Sequence, residues 1–298
     1  MPDAEVHYLT KKSFVPVLAE NPYIYKIHTI QNTVSEVIDE LKNESFDFIA
    51  DLHHNLRSLQ VKRGLKTASS SFPKLNIEKW LMVNLKVDAL PRVHIVDRYF
   101  ETVKKLNVAN DGLGLDYFIP EQDEIDINSL PHPQRDGYIG FVTGAKHFTK
   151  QLPESKIISI CRKISAPIIL LGGADEAQKG ERIVQALGKG VYNGCGKYNI
   201  NQSASLVKQA VRIITPDTGL MHIAAAFKKD IISVWGNTIP AFGMYPYLPG
   251  GGSRIIEVAG LECRPCSKLG FDSCPKKHFN CMMQIDEEEI AQWAAKRS

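Results

Sequence analysis

Short apolar runs of β-forming residues alternate with longer segments of helical periodicity along the whole chain. In the first half the runs fall at 6–9, 25–28 and 46–50, and the segment 33–43 puts Val34, Val37, Ile38 and Leu41 on one stripe behind Thr33, which predicts a capped helix. A second helical group covers 77–106. The stretch 120–134, rich in acidic residues and proline, reads as a linker. After it the alternation restarts, with strands predicted at 138–142, 167–171, 211–214 and 231–235 and helices at 154–164, 177–187, 202–209 and 220–227. A last helical stretch, 286–296, could pack back against the first half. Strands alternating with helices imply parallel sheets with helices on both faces. The second half makes a complete doubly wound domain. The first opens on a strand with no βα unit before it and reads as incomplete at its start, which predicts uncovered sheet edges and either low stability or a compensating oligomer contact.

Length agrees with this division. The 298 residues suit two domains, at 1–131 and 135–298. Apolar residues make up 44% and charged residues 23%, and no apolar run reaches the ~18 residues of a spanning helix. Met1-Pro2-Asp3-Ala4-Glu5-Val6 offers neither a basic nor an apolar leader, so a cytoplasmic location is expected. The net charge of +3 becomes informative when mapped: residues 57–105 hold eleven Lys or Arg against four Asp or Glu. That excess is either solvated helix faces or a surface for phosphate groups of an anionic substrate or membrane. Cys161 and Cys195 look like ordinary buried thiols. Cys263, Cys266, Cys274 and Cys281, with His278 nearby, crowd into one segment whose spacing suits zinc or an iron–sulfur cluster as well as free thiols.

Ligands of doubly wound domains bind beyond the carboxyl ends of the strands, and the unusual residues of the second half fall there. Thr143-Gly144-Ala145 follows the first strand, its small residues letting backbone N–H groups approach a phosphate, with Lys150 just before the next helix. Gly172-Gly173-Ala174-Asp175-Glu176 follows the second, where a carboxylate either accepts from ribose hydroxyls or caps the helix. Asp217-Thr218-Gly219 opens a helix that carries His222 one turn on, so that free N–H groups, the Thr218 hydroxyl and the imidazole make an anion site. No strand is followed by Gly-x-Gly-x-x-Gly, which speaks against a dinucleotide oxidoreductase.

These turns, with Lys150-Gln151-Leu152-Pro153, Asn193-Gly194-Cys195-Gly196-Lys197, Asp217 through Ala226 and Trp235-Gly236-Asn237-Thr238-Ile239-Pro240, resemble in order and spacing the family 9 glycosyltransferases, the heptosyltransferases of lipopolysaccharide core synthesis. The first half is similar more loosely, through Pro2-Asp3-Ala4-Glu5 and Asp51-Leu52-His53-His54-Asn55-Leu56-Arg57-Ser58. The resemblance implies an α/β fold of the GT-B type, two Rossmann-like domains with the N-terminal one incomplete. It implies an inverting, metal-independent transfer of a heptose-type sugar from an ADP-sugar to a lipid-linked, anionic saccharide acceptor at the cytoplasmic face of the inner membrane, with no required cofactor and no nucleic-acid partner. Carried over residue by residue, Thr143, Gly144 and Lys150 would contact the diphosphate, Glu176 the ribose, and Asp217, Thr218, Gly219 and His222 the phosphates and sugar. Arg57 and the basic segment would face the phosphorylated acceptor.

Inversion also needs a general base to take the acceptor proton. The resemblance places an Asp for this in a Gly-Asp turn after the family's first strand, and the sequence contains no such turn at its start, so no catalytic base is assigned. Asp51, at a strand end, is a weak substitute. A protein that binds a nucleotide sugar without transferring it is the alternative reading.

Overall fold

The computed structural model describes residues 4–295. Met1, Pro2 and Asp3 of the N-terminal resemblance and Lys296 of the last predicted helix lie outside them. Contacts cluster into two compact units, one running to Asn76 and adding Val93–Leu113, the other formed by Ile77–Arg92 and everything from Gly114 on.

The first unit holds β1 (His7–Lys11), β2 (Lys26–Ile30), α1 (Ile38–Asn43), β3 (Ile49–Asp51), α2 (Leu56–Leu65) and β4 (Ser69–Ser71). Its strands form two separate parallel pairs, β1 with β2 and β3 with β4. The predicted capped helix is a cap followed by a shorter helix. Glu36 gathers the N–H groups of Gln31, Asn32 and Thr33 at 2.7–2.9 Å, and α1 starts only after this turn. The expected stripe is nonetheless the core: Ile30, Val34, Val37, Leu41 and Val61 form its buried cluster. α3 (Asn76–Asn84) and α4 (Ile95–Phe100) replace the long helical group of 77–106.

After α5 (His132–Arg135), the second unit holds the four predicted strands and the helices between them, with β7 and β10 added: β5 (Ile139–Val142), α6 (Glu154–Arg162), β6 (Ile168–Leu171), α7 (Ala177–Leu187), β7 (Val191–Asn193), α8 (Ile200–Gln209), β8 (Arg212–Pro216), α9 (Gly219–Ala226), β9 (Ile231–Trp235) and β10 (Arg254–Glu257), closing with α10 (Asn280–Met283) and α11 (Glu287–Ala295). All six strands are parallel, in the order β10-β9-β8-β5-β6-β7. This is the 3-2-1-4-5-6 order of a dinucleotide-type doubly wound sheet, with its topological switch between β5 and β8. β5, β6, β8 and β9 are buried at every position, and that is why they read as continuous apolar runs.

Two expectations are corrected. The stretch 120–134 is no free tether: Ile125 and Ile127 pack against a buried cluster that includes Leu130, and Glu124 accepts from Ser205 and Lys208 of α8. Its isoleucines, spaced between acids, carry the docking. The last helix packs on its own unit, burying Ile290, Ala291, Trp293 and Ala294 in the core beside α6.

Candidate functional site

The switch between β5 and β8 brings together residues far apart in sequence. Lys150, in the loop between β5 and α6, places its ammonium 2.5 Å from Asp217 Oδ2 at the end of β8, and both side chains are largely shielded from water. Thr218 is the N-cap of α9, its hydroxyl accepting from Leu220 N–H at 3.3 Å, and Gly219 is exposed with open space where a side chain would stand. Leu220 N–H and Met221 N–H are taken by the Thr218 hydroxyl and carbonyl, and the exposed Gly219 that opens α9 leaves the positive end of the helix dipole at the surface beside an ammonium. Desolvation at His222 holds its pKa below the ordinary imidazole value, with Asp217 raising it and Lys150 lowering it. Burial thus favours the neutral form of the imidazole.

Glu176 sits against this turn. A Cβ on Gly144 would come within 2.5 Å of its carboxylate, so glycine is what lets the two strand ends approach. Glu176 Oε2 accepts from Gly173 N–H at 2.9 Å, so it acts as a cap on its own turn while remaining at the strand ends. Thr143 is buried, with its hydroxyl 3.4 Å from Cys195 Sγ, which joins the Asn193-to-Lys197 turn to the same place. The structure thus gathers Thr143, Gly144 and Glu176 at the ends of β5 and β6, and Lys150, Asp217, Thr218, Gly219 and His222 around the start of α9.

Three features escaped the sequence reading. Lys179 of α7 donates to the carbonyls of Thr143 and Leu152 at 3.1 and 3.0 Å, and burial pushes its pKa down. Arg264 donates to Gly236 and Thr238 carbonyls beyond β9, to Val258, and to Glu257. With Cys266 N–H on Asn237 O, and Thr149 bonded both ways to Phe271, the cysteine-rich loop straps the ends of β9 and the turn before Lys150. Beneath that strap Asn237 Oδ1 and Nδ2 and Thr238 Oγ1 are buried without a protein partner. An unpaired buried polar atom costs ~1–3 kcal/mol, so such a group at a strand end marks a place for a ligand or water. Only the Gly-Asn-Thr run after the apolar strand hinted at this.

None of the four late cysteines is in a disulfide, and burial pushes the Cys281 thiol up to about 12 and raises that of Cys266. Cys263 Sγ lies 3.8 Å from His278 Nε2. Among the described residues, however, the group whose ligand atoms converge within 4.8 Å is a different one, His7, His28 and Glu44.

In the first unit, Arg57 lines a cavity of about 880 Å³ together with Asn32, Thr33, Ser35, Asn55 and Gln60. The basic excess of 57–105 is partly consumed: Lys62 pairs with Asp51 at 2.7 Å, Arg98 is buried on Pro73 O, Lys86 binds Pro265 O and Arg92 pairs with Asp88. Asp51 is buried and fully engaged. Burial works against its charge, but Lys62, the amides of His54 and His53 and neighbouring hydroxyls hold its pKa well below the usual carboxylate range. A carboxylate so stabilised is a poor proton acceptor, and Asp51 is a structural residue.

No helix among the described residues is long and apolar enough to cross a membrane. The family model of Glycosyltransferase family 9 (heptosyltransferase) matches residues 34–270. Lipooligosaccharide heptosyltransferase 2 of Haemophilus influenzae is 33% identical over 142 residues, which is 44% of this chain and 40% of that protein, so the chain spans well under half of that relative's length. Among solved structures, a family 9 glycosyl transferase from Veillonella parvula superposes with a TM-score of 0.76 at 19% identity, covering 98% of this chain and 88% of that one. The E. coli ADP-heptose lps heptosyltransferase II superposes with a TM-score of 0.70 at 18% identity, covering 98% and 89%. The fold is α/β of the GT-B type, as expected.

Proposed function

The chain belongs to glycosyltransferase family 9, and from that premise we propose that it transfers a heptose-type sugar, with inversion and without a metal, from an ADP-sugar held on the second unit to an anionic, lipid-linked saccharide of the lipopolysaccharide core. The observation that carries this reading is the shielded Lys150–Asp217 pair at the switch of the sheet, beside the start of α9. A diphosphate leaving group gains negative charge as the glycosidic bond breaks. Lys150, the positive end of the α9 dipole and His222 supply fixed positive or donating groups where that charge develops, the type of stabilisation worth most in a partly dry site. Asp217 is too close to Lys150 to face a phosphate itself. Its carboxylate is placed to orient Lys150 and to accept from a sugar hydroxyl. Glu176 takes the ribose, exchanging the Gly173 N–H for a hydroxyl donor, and Thr143 and Gly144 line the diphosphate. The donor proposed is the one for which the E. coli structural relative, ADP-heptose lps heptosyltransferase II, is named.

On the acceptor side we assign Arg57, with the polar side chains of Asn32, Ser35, Asn55 and Gln60 beside it, to an anionic group of the saccharide. On this reading the protein would work at the cytoplasmic face of the inner membrane, in peripheral contact with it. The base that deprotonates the acceptor is left unassigned, because Asp51 is committed to Lys62.

The test pairs binding with turnover. ADP affinity is measured by calorimetry, and transfer from ADP-heptose to a heptose-deficient core acceptor by product mass. Lys150→Ala is expected to weaken ADP about tenfold or more, corresponding to the loss of a charge-assisted contact, and to lower kcat roughly 10²-fold. Unchanged ADP affinity in both Lys150→Ala and His222→Ala would sink the donor assignment. Intact ADP binding with no product from the unaltered chain would favour a nucleotide-sugar-binding protein instead.

A further inference from the structure

The first unit carries a second constellation, away from the residues assigned above. In the β1–β2 pair the register sets His7 opposite Lys26 and Leu9 opposite His28. The two imidazoles stack at 5.2 Å with 15° between their planes, and His7 Nδ1 lies 2.9 Å from His28 Nε2. α1 then brings two carboxylates one turn apart over the same place: Glu40 Oε1 is 2.7 Å from His28 Nδ1, and Glu44 offers an oxygen within 4.8 Å of the ligand nitrogens of both histidines. Phe46 closes on both rings edge-on, at 5.0 and 6.2 Å, and Tyr25 leans on His7 at 5.3 Å.

We propose that His7, His28 and Glu44 form a binding site for a divalent transition metal of the zinc type, with Glu40 as the partner that orients His28. The reasoning is one of proton placement. A carboxylate has no proton to give, so Glu40 fixes the hydrogen of His28 on Nδ1 and leaves the Nε2 lone pair facing His7. That is the carboxylate–histidine arrangement that prepares an imidazole as a metal ligand. Two imidazole nitrogens and one carboxylate oxygen are a donor set for zinc, with water completing four-coordination. Phe46 packs edge-on against both rings and holds them together. A cation already stands at the carboxylates: the Lys26 ammonium is 2.5 Å from Glu44 and 3.3 Å from Glu40, on a side chain exposed enough to swing into water when a divalent ion takes over its charge.

The site ties β1, β2 and α1 together in a unit whose buried apolar cluster is only Ile30, Val34, Val37, Leu41 and Val61. A metal bound only by the folded form stabilises such a unit by mass action, as small domains with thin cores require. The proposed role is structural and independent of the transferase reading.

The full chain, stripped with EDTA and desalted, is titrated with Zn²⁺ by calorimetry and with Co²⁺ by absorption. The expected result is one equivalent of Zn²⁺ that is lost in His28→Ala and Glu44→Gln, bound roughly 10- to 100-fold more weakly in Glu40→Gln, and bound more tightly in Lys26→Met, where the competing ammonium is gone. Co²⁺ at this site gives visible ligand-field bands without thiolate charge-transfer absorption, which separates it from binding at the cysteine-rich loop. Glu44→Gln, at the half-buried C-cap of α1, carries the test if His28→Ala fails to fold. Zinc binding unchanged in Glu44→Gln and Lys26→Met, or cobalt spectra showing only thiolate ligation, overturns the proposal.

Discussion

At the scale of single residues, what distinguishes the site is that charged groups are held where strands end. Lys150 and Asp217 stood out in the sequence because Lys150 follows an apolar strand and a small-residue turn and Asp217 opens the Asp-Thr-Gly turn at the end of another, although only the fold could show that they meet. His222 was legible as a group one turn into a helix, but the downward push on its pKa comes from desolvation, which sequence does not encode. An anionic diphosphate brought to α9 raises the pKa of a neutral imidazole, so ADP binding is expected to take up protons near pH 7.5, where the nucleotide itself is fully ionised. Calorimetry in buffers of different ionisation enthalpy measures this. The apparent enthalpy should vary with the buffer in the unaltered chain and much less in His222→Gln, and equal slopes in the two proteins would remove His222 from the phosphate site. Lys179 and Arg264 were invisible beforehand because they act on backbone carbonyls, a role that any surface Lys or Arg could have had.

Among elements, the buried strands were legible because a parallel sheet covered on both faces demands continuous apolar runs, as in β6 and β9. β7 and β10 were missed for the converse reason: one is three residues long and the other is an edge strand exposed at three of its four positions. The first helix was read too long. Its N-terminal part is a capping turn in which Glu36 satisfies three backbone donors, and these bonds hold its pKa at about 2 instead of 4.5. A folded-state pKa below the unfolded one means stability present above pH 4.5 and lost as pH falls toward 2. Urea denaturation is therefore expected to show Glu36→Gln less stable than the parent at pH 7, with the difference shrinking steadily below pH 4.5. A difference independent of pH from 7 to 3 would show that Glu36 acts by packing rather than by its charge.

For the whole molecule, the sequence conveyed the alternation and the doubly wound class of the second unit, but not which strands neighbour each other or where the chain finishes. The order β10-β9-β8-β5-β6-β7 follows from right-handed crossovers and a single reversal after β7, and that reversal is what leaves room for a ligand beside β5 and β8. The last helix looked free to dock anywhere, since its apolar positions Ile290, Ala291, Trp293 and Ala294 fit any hydrophobic face. The deciding contacts are polar and specific. Trp293 Nε1 donates to Gly252 O at 2.7 Å, while Arg212, at the start of β8, donates to the Trp293 carbonyl at 3.1 Å and stacks over the indole at 5.3 Å. α11 is thus a structural part of the proposed donor-binding unit, and its loss should be felt there. Trp293→Ala removes a 97%-buried side chain from the core of the sheet and is expected to cost about 3–5 kcal/mol. For a unit of this size that is roughly 10 °C in thermal midpoint, with ADP protecting against part of the loss because it binds only the folded form. Calorimetric scans with and without ADP check both statements. A mutant that melts within about 2 °C of the parent would mean that α11 is a dispensable appendage, and that the cluster around Ile157, Ile232 and Ile256 holds the sheet without it.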